Sequence, residues 1–266
     1  MAVLSAQIPD QITAIAESCE IFGIKTCAQT LDGAIATMHL WTQSAAKRYV
    51  STCCVYTLMK AQEDPQVAAA LASADMVTAD GMPLVWLQHR DGFRMAERVY
   101  GPDILRAFLA RTADCGLHHV LLGGNKHSAK RLAEILQRDF PCSTVTVFDW
   151  PYTEDLTGDA LDAAAIQELN RLNAHVVWVG LGSPKQDLWM ARYRPYLQSP
   201  VLIGIGAAFD FVSGTKRQCP RWLQRRGGEW LFRLIQEPRR LWRRYLRNNP
   251  LFLWYLFCER TGLKSF

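Results

Sequence analysis

Four short stretches of this chain combine residue types that can hold a phosphate or move a proton. Residues 78–81 read Thr-Ala-Asp-Gly, residues 122–125 Leu-Gly-Gly-Asn, residues 179–186 Val-Gly-Leu-Gly-Ser-Pro-Lys-Gln, and residues 204–210 Gly-Ile-Gly-Ala-Ala-Phe-Asp. Gly123, Gly124 and Gly182 let backbone N–H groups come close to a phosphate, and Lys185 adds charge where a helix begins. Neither glycine segment is a Walker loop or a GxGxxG, and one alone is more often a plain turn. Two at equivalent ends of one sheet favour a nucleotide-diphosphate site. Asp80 has the chemistry of a general base that takes a proton from a sugar hydroxyl. It serves equally well as a helix cap or as the residue that fixes the turn at Gly81. Asp210 faces the same choice, with a supporting role the plainer one. Arg98 suits a bidentate grip on phosphate or carboxylate, although a lone Arg near a helix start is commonly a solvated one. Thr52 offers a hydroxyl at a strand end, where an ordinary strand threonine is the simpler reading.

The elements that would position these residues follow from the hydrophobic pattern. Short apolar or β-branched runs at 49–52, 74–78, 119–122, 144–148, 176–179 and 201–205 read as strands. Helical patterns lie at 58–73, 102–115, 128–139, 159–173 and 185–193, and 21–44 reads as a short strand followed by a helix. This alternation predicts an α/β fold, a Rossmann-like and mostly parallel sheet with helices on both faces. Ligands of such sheets bind outside the carboxyl ends of the strands, where the four stretches fall.

Charge is distributed unevenly. From Lys216 onward there are 13 Lys and Arg against 3 acids, whereas the first 215 residues hold 17 basic and 22 acidic residues. Helical spacing brings Arg233, Arg240, Arg243, Arg244 and Arg247 together with Trp230, Trp242 and Tyr245. Arg interleaved with Trp is the composition of an interfacial helix on an anionic membrane. The division expected is a catalytic body over 1–214 and a basic, aromatic-rich helical appendage over 215–266. The apolar run at 251–258 is far shorter than the roughly 20 residues a spanning helix needs. The N-terminus lacks a basic and apolar leader, so a cytoplasmic protein, peripheral on the inner face of the membrane, is expected. The 8 cysteines have no CxxC spacing and read as reduced thiols. The 6 histidines form no HxxxH or HExxH, and no DxD is set to hold a cation under a diphosphate. No metal and no cofactor are therefore expected, with arginines neutralising the leaving group.

Taken in order, the motifs resemble the WecG/TagA/CpsF glycosyltransferase family, also called glycosyltransferase family 26. The resemblance rests on SADMVTADG at 73–81, ERVYG at 97–101, LLGG at 121–124, GLGSPKQD at 180–187, GIGAAFD at 204–210 with Gly214, and GEWLFRL at 228–234 followed by EPRR at 237–240. It runs from about residue 21 to 252. It implies inverting transfer of a hexose (N-acetylmannosamine, its uronic acid, glucose or similar) from a UDP-sugar to a polyprenyl-diphosphate-linked saccharide in cell-surface polysaccharide assembly. By the same resemblance Asp80 is the catalytic base, and Thr52, Arg98 and Gln186 are pocket residues. Arg233, Arg240 and Arg243 close over the diphosphate at the membrane. The chain departs from the family where Thr52-Cys53-Cys54 stands for Thr-x-Asn, which leaves the donor sugar open. Asp187 stands where Glu is usual. A nucleotide- or nucleic-acid-binding protein that grips phosphates with its basic tail is the alternative, although no nucleic-acid module is recognisable, and nucleic acid is not the expected partner. A homo-oligomer that hides the appendage in solution is compatible with the sequence.

Overall fold

Strands of four to six residues, buried on both faces in the inner strands, build the centre of this protein. They are β1 Ser18–Ile21, β2 Ile24–Cys27, β3 Arg48–Cys53, β4 Met76–Ala79, β5 His118–Leu122, β6 Thr144–Phe148, β7 Val176–Val179 and β8 Val201–Gly204. The computed structural model describes residues 17–151 and 162–263. Among them the strands form one sheet in the order β1-β2-β4-β3-β8-β7-β5-β6. Only β1 runs antiparallel to its neighbour; the other pairs are parallel. Strands β7 and β8 are buried at every position, as a parallel sheet covered on both sides requires.

The covering helices are α1 Leu31–Trp41, α2 Val55–Glu63, α3 Pro65–Ala72, α4 Met82–Arg90, α5 Gly101–Arg111, α6 Lys126–Asp139, α7 Ala163–Arg171 and α8 Lys185–Tyr193. Short α9 Ala208–Val212 and α10 Arg221–Arg225 lead to α11 Glu229–Gln236 and the long α12 Pro238–Thr261. One sheet face packs Met38, Ile104, Phe108 and Phe209 around Trp178. The other face divides between Trp189 and Met190 with Tyr49 at one end, and Leu58 and Leu84 with Cys53 at the other.

Local chemistry explains where the elements begin and where the sequence reading needs correction. Thr30, Asp64 and Asn125 accept backbone N–H bonds at the heads of α1, α3 and α6, which satisfies donors that a helix leaves open. The single helix expected over 58–73 is two, because Asp64 precedes Pro65 and is held extended at φ −128°, ψ 109°. The segment 21–44 is a hairpin followed by α1. Its two-residue turn is Phe22 and Gly23, both at positive φ, the geometry of a type I′ connection. Phe22 tolerates that backbone because its ring is buried edge-on against Phe252 and Tyr255, each 5.7 Å away. Helix α4 has no counterpart among the expected elements. The helix expected over 159–173 is α7, and residues 159–161 of it lie outside the described residues.

The tail is helical, as expected, and is also seated in the core. Leu241, Tyr245, Phe252 and Cys258 of α12 are buried, α12 packs along α2, and Phe252 joins the cluster of Leu58 and Leu84.

Asp187 ties α8 to the sheet. Its side chain is fully buried and accepts a hydrogen bond from Ser51 Oγ at 2.6 Å. Burial pushes its carboxyl up to about 6, against the opposing hydrogen bonds of Ser51 and Ser183. A carboxyl that binds its proton more tightly when folded favours the fold fully below its unfolded value of 3.8, and loses that contribution as pH rises through about 6. Asp187→Asn, which stays neutral, is therefore expected to gain on the wild type by on the order of 2 kcal/mol between about pH 4 and about pH 8. Urea titrations at both pH values measure this, and a constant difference between the two proteins would contradict it.

Candidate active site

Along the carboxyl edge of the sheet, five neighbouring strands deliver their following loops in the order β4, β3, β8, β7, β5, a breadth of about 19 Å at ordinary strand spacing. These loops, together with α11 and α12, enclose a cavity of about 610 Å³, the size of a small-molecule site. Asp80 comes from the end of β4, Thr52 and Cys54 from β3, Gly206 and Asp210 from β8, Gly180, Gly182 and Gln186 from β7, and Gly124 and Asn125 from β5. Arg98, Gln224, Glu229, Arg233, Arg240, Arg244 and Asn248 complete the polar wall.

Asp80 sits where β4 passes into α4, its backbone N–H held by the Cys53 carbonyl at 2.9 Å. Its Oδ1 is buried and has no hydrogen-bond partner. Burial pushes the carboxyl up to about 6; the Arg98 and Arg233 guanidinium groups pull it down and the Glu229 carboxylate pushes it up. Burial also raises the Tyr100 phenol well above its ordinary range, so this residue stays a neutral O–H. Its oxygen too is buried without a partner.

Arg98, expected as a pocket residue, lines the cavity beside Asp80, and its nitrogens are engaged within the protein. Nε donates to the Asp80 backbone carbonyl, Nη1 to Gln224 at 2.9 Å and Nη2 to Glu229 at 2.5 Å. The guanidinium lies 3.8 Å from the centre of the Tyr100 ring, and Asp80 Oδ1 is 4.0 Å from Nη2. Gln224 and Glu229 belong to the tail, so one side chain fastens the tail to the carboxyl edge of the sheet.

The glycines fit because side chains would collide. A Cβ at Gly124 or Gly180 would lie 2.8 Å from the Phe209 ring, and one at Gly101 would lie 2.9 Å from the Ile205 carbonyl oxygen. Thr52 donates to the Gly204 carbonyl at 2.7 Å. Gln186, 1% exposed, donates to Ser183 at 3.3 Å and keeps an unpartnered Oε1. Asp210 lines the cavity with both carboxylate oxygens engaged, by Ser128 at 2.7 Å and by Lys216 at 2.8 Å. Lys216 in turn meets Glu237 at 3.1 Å, and Glu237 meets Arg240. Asp210 thereby supports a second strap between sheet and tail.

Three expected residues lie outside the cavity lining. Gly123, at φ +76°, packs on Leu181. Lys185 opens α8 with its side chain exposed. Arg243 stacks on its neighbour Trp242, with 5.2 Å between guanidinium and ring centre. Arg244 takes the inward place instead: its guanidinium lies 3.8 Å from the Tyr56 ring centre, Nη2 is 3.6 Å from Cys54 Sγ, and Nε is buried without a partner. Arg233 Nε is likewise unpartnered, its guanidinium 5.5 Å from the Phe211 ring. No local pattern marks Glu229 or Gln224, or separates Arg244 from its neighbouring arginines, since each acquires its meaning from contacts across the fold.

Asp80 Oδ1, Tyr100 Oη, Gln186 Oε1, Arg233 Nε, Arg244 Nε and Asn248 Oδ1 are all buried, unpartnered and on cavity-lining residues. Such groups are costly in a protein interior unless a ligand supplies their partners. Among the described residues no group of three or more His, Cys, Asp or Glu is placed to hold a metal ion.

The Glycosyl transferase WecG/TagA/CpsF family model matches residues 19–265. The N-acetylglucosaminyldiphosphoundecaprenol N-acetyl-beta-D-mannosaminyltransferase of Bacillus spizizenii is 29% identical over 205 residues, 77% of this chain and 77% of that protein. The protein of the same name from Bacillus subtilis is 27% identical over 196 residues, 74% of this chain and 73% of its own.

Removing the Glu229 charge takes away a negative neighbour of Asp80. Glu229→Gln is therefore expected to move the Asp80 carboxyl downward from about 6 toward its ordinary value, as followed by carboxyl-carbon NMR titration. An unchanged or higher value would show that Glu229 does not act on Asp80.

Proposed function

The chain belongs to the WecG/TagA/CpsF family of glycosyltransferases, and from that premise we propose that it transfers a hexose, with inversion, from a UDP-sugar to a polyprenyl-diphosphate-linked saccharide. The observation that carries this reading is the unpartnered, buried Asp80 oxygen, set between glycine loops on one side and tail arginines on the other. In the proposed reaction Asp80 Oδ1 accepts the proton of an acceptor hydroxyl while that oxygen attacks the anomeric carbon. The bond from this carbon to the UDP oxygen breaks, and the electron pair leaves on UDP. Arg233 stabilises the charge that develops on the UDP diphosphate, the part a divalent cation plays elsewhere, while Arg240 and Arg244 meet the acceptor's own diphosphate. A carboxylate that titrates near 6 is largely ionised at neutral pH and is a stronger base than an ordinary one. The UDP moiety lies over the loops after β8, β7 and β5, whose glycines leave backbone N–H groups accessible. Cys54, at the cavity beside Arg244, faces the sugar, so the hexose accepted depends on a thiol at the position where the family resemblance implies an amide.

The outer face of the tail supports a membrane seat. Trp242, Leu246, Leu253 and Phe257 are 45%, 64%, 64% and 51% exposed, and their spacing keeps them within about 60° of one another around α12. Arg239 and Arg243, both exposed, flank this stripe, whereas Arg247 pairs with Glu63 at 2.9 Å. Among the described residues no helix is long and apolar enough to cross a membrane, so the proposed association is peripheral.

Two measurements test this reading. With a UDP-hexose panel and a lipid-diphosphate-linked acceptor, Asp80→Asn is expected to keep UDP binding and lose about 100- to 10,000-fold in rate. The wild-type rate should rise with pH through about 6; transfer by Asp80→Asn at the wild-type rate would remove Asp80 from the role. In flotation assays the protein should bind vesicles rich in anionic lipid, less at high salt, with about 1 kcal/mol contributed per basic residue near the surface. Equal binding to zwitterionic vesicles, or none to either, would rule out this seat.

A further inference from the structure

The inner face of α12 changes character along its length. Arg240, Arg244, Asn248, Phe252 and Leu256 follow one another at intervals of four residues, and all line the cavity. Each step drifts by about 40°, so the row winds through about 160° along about 24 Å of the helix axis while staying on the cavity lining. The face thus runs from two guanidinium groups, through an amide, to hydrocarbon.

The hydrocarbon end is walled on its other side by α4, whose Met82, Trp86 and Leu87 line the same cavity. Helix α4 follows β4, at the opposite end of the cavity-forming strands from the glycine loops, so Asp80 stands between the phosphate-binding and apolar regions. This wall is also open. Trp86 is 48% exposed and Leu253 64% exposed although both line the cavity. Leu253 further belongs to the exposed stripe of Trp242, Leu246 and Phe257 on the outer side of α12. One residue therefore joins the interior wall to the surface offered to the membrane.

We infer that the α4–α12 wall is a binding site for the first isoprene units of the acceptor, a polyprenyl chain that leaves the cavity over Leu253 and Trp86. This rests on the acceptor reading above and adds where the chain lies. The occupant follows from the order of groups on α12: a diphosphate on Arg240 and Arg244 leaves its ester-linked chain against Phe252, Leu253 and Leu256. Free nucleotides and water-soluble sugars have nothing to place on that wall. The site selects lipid from non-lipid acceptors and fixes the acceptor's direction, sugar toward Asp80 and chain toward the membrane.

The test uses the full chain in membrane-free buffer, with N-acetylglucosamine diphosphate esters bearing either a methyl or a farnesyl group as acceptors. The farnesyl ester is expected to have a KM at least roughly tenfold lower than the methyl ester, because burying even two methylenes is worth about that much. Leu253→Asp should collapse that ratio. Ile235→Ser, at a residue 72% exposed and outside the cavity lining, should preserve it. Equal KM values in the wild type, or a ratio that survives Leu253→Asp, would overturn the inference while leaving the glycosyltransferase reading intact. Transfer to neither ester would overturn the acceptor reading, and this inference with it.

Discussion

Arg98 is the contact on which the site's geometry depends. Its guanidinium holds the carbonyl of Asp80, the residue read as the base, and reaches Gln224 and Glu229 more than a hundred residues along the chain. Arg98 and Glu229 are each 14% exposed in their side chains, so neither charge is well solvated without the other. Removing one partner of such a pair typically costs about 3–5 kcal/mol, because the remaining charge stays buried and uncompensated. Arginine suits the position because its planar fork serves three acceptors while one face lies on Tyr100. A lysine could supply the charge but not the three directions.

The clasp explains why the cavity has two kinds of wall. The sheet contributes backbone: its loops approach closely through Gly101, Gly124 and Gly180, where a side chain would strike Ile205 or Phe209. The tail contributes side chains, with Arg233, Arg240 and Arg244 facing inward. A second strap, from Asp210 through Lys216 to Glu237 and Arg240, sets the start of α12 against the loop after β8. Neither half encloses a site alone, and both straps are ionic, so they are less costly to open than a hydrophobic seam of the same extent.

Much of this was legible in the sequence, and the part that was not has a common cause. Strand-ending motifs located Asp80, Thr52, Gly124, Gly182 and Gln186 at one edge, since the carboxyl ends of parallel strands share an edge in any such sheet. The basic tail was visible from charge alone. The helix break at Asp64–Pro65 and the Phe22–Gly23 turn were also written locally, in a residue before proline and in a glycine. What local pattern does not give is rotation about an axis. Arg243 and Arg244 differ by 100° around α12, and a run of five arginines between 239 and 247 has no inward side until its partners are known. Tyr56 and Cys54, nearly two hundred residues earlier, select Arg244. Glu229 and Gln224 likewise become meaningful only once Arg98 is found beside them.

The same contacts bear on how the base works in the proposed reaction. The main cause of the raised Asp80 carboxyl is burial, and the groups that act on it electrostatically include Glu229 and Arg233 from the tail. These two oppose each other: the carboxylate strengthens the base and the guanidinium weakens it. A diphosphate engaged by Arg233 offsets much of that positive charge at Asp80, since the field of a paired cation falls off far faster than that of a lone one. Donor binding therefore shifts the balance toward Glu229 and leaves Asp80 a stronger proton acceptor when a leaving group is in place. With the tail displaced, Asp80 loses part of its burial as well as Glu229, and reverts toward an ordinary, weaker carboxylate. Seating of the tail, capture of the diphosphate and strength of the base are thus one coupled equilibrium, with Arg98 as its mechanical link and Arg233 as its electrostatic one.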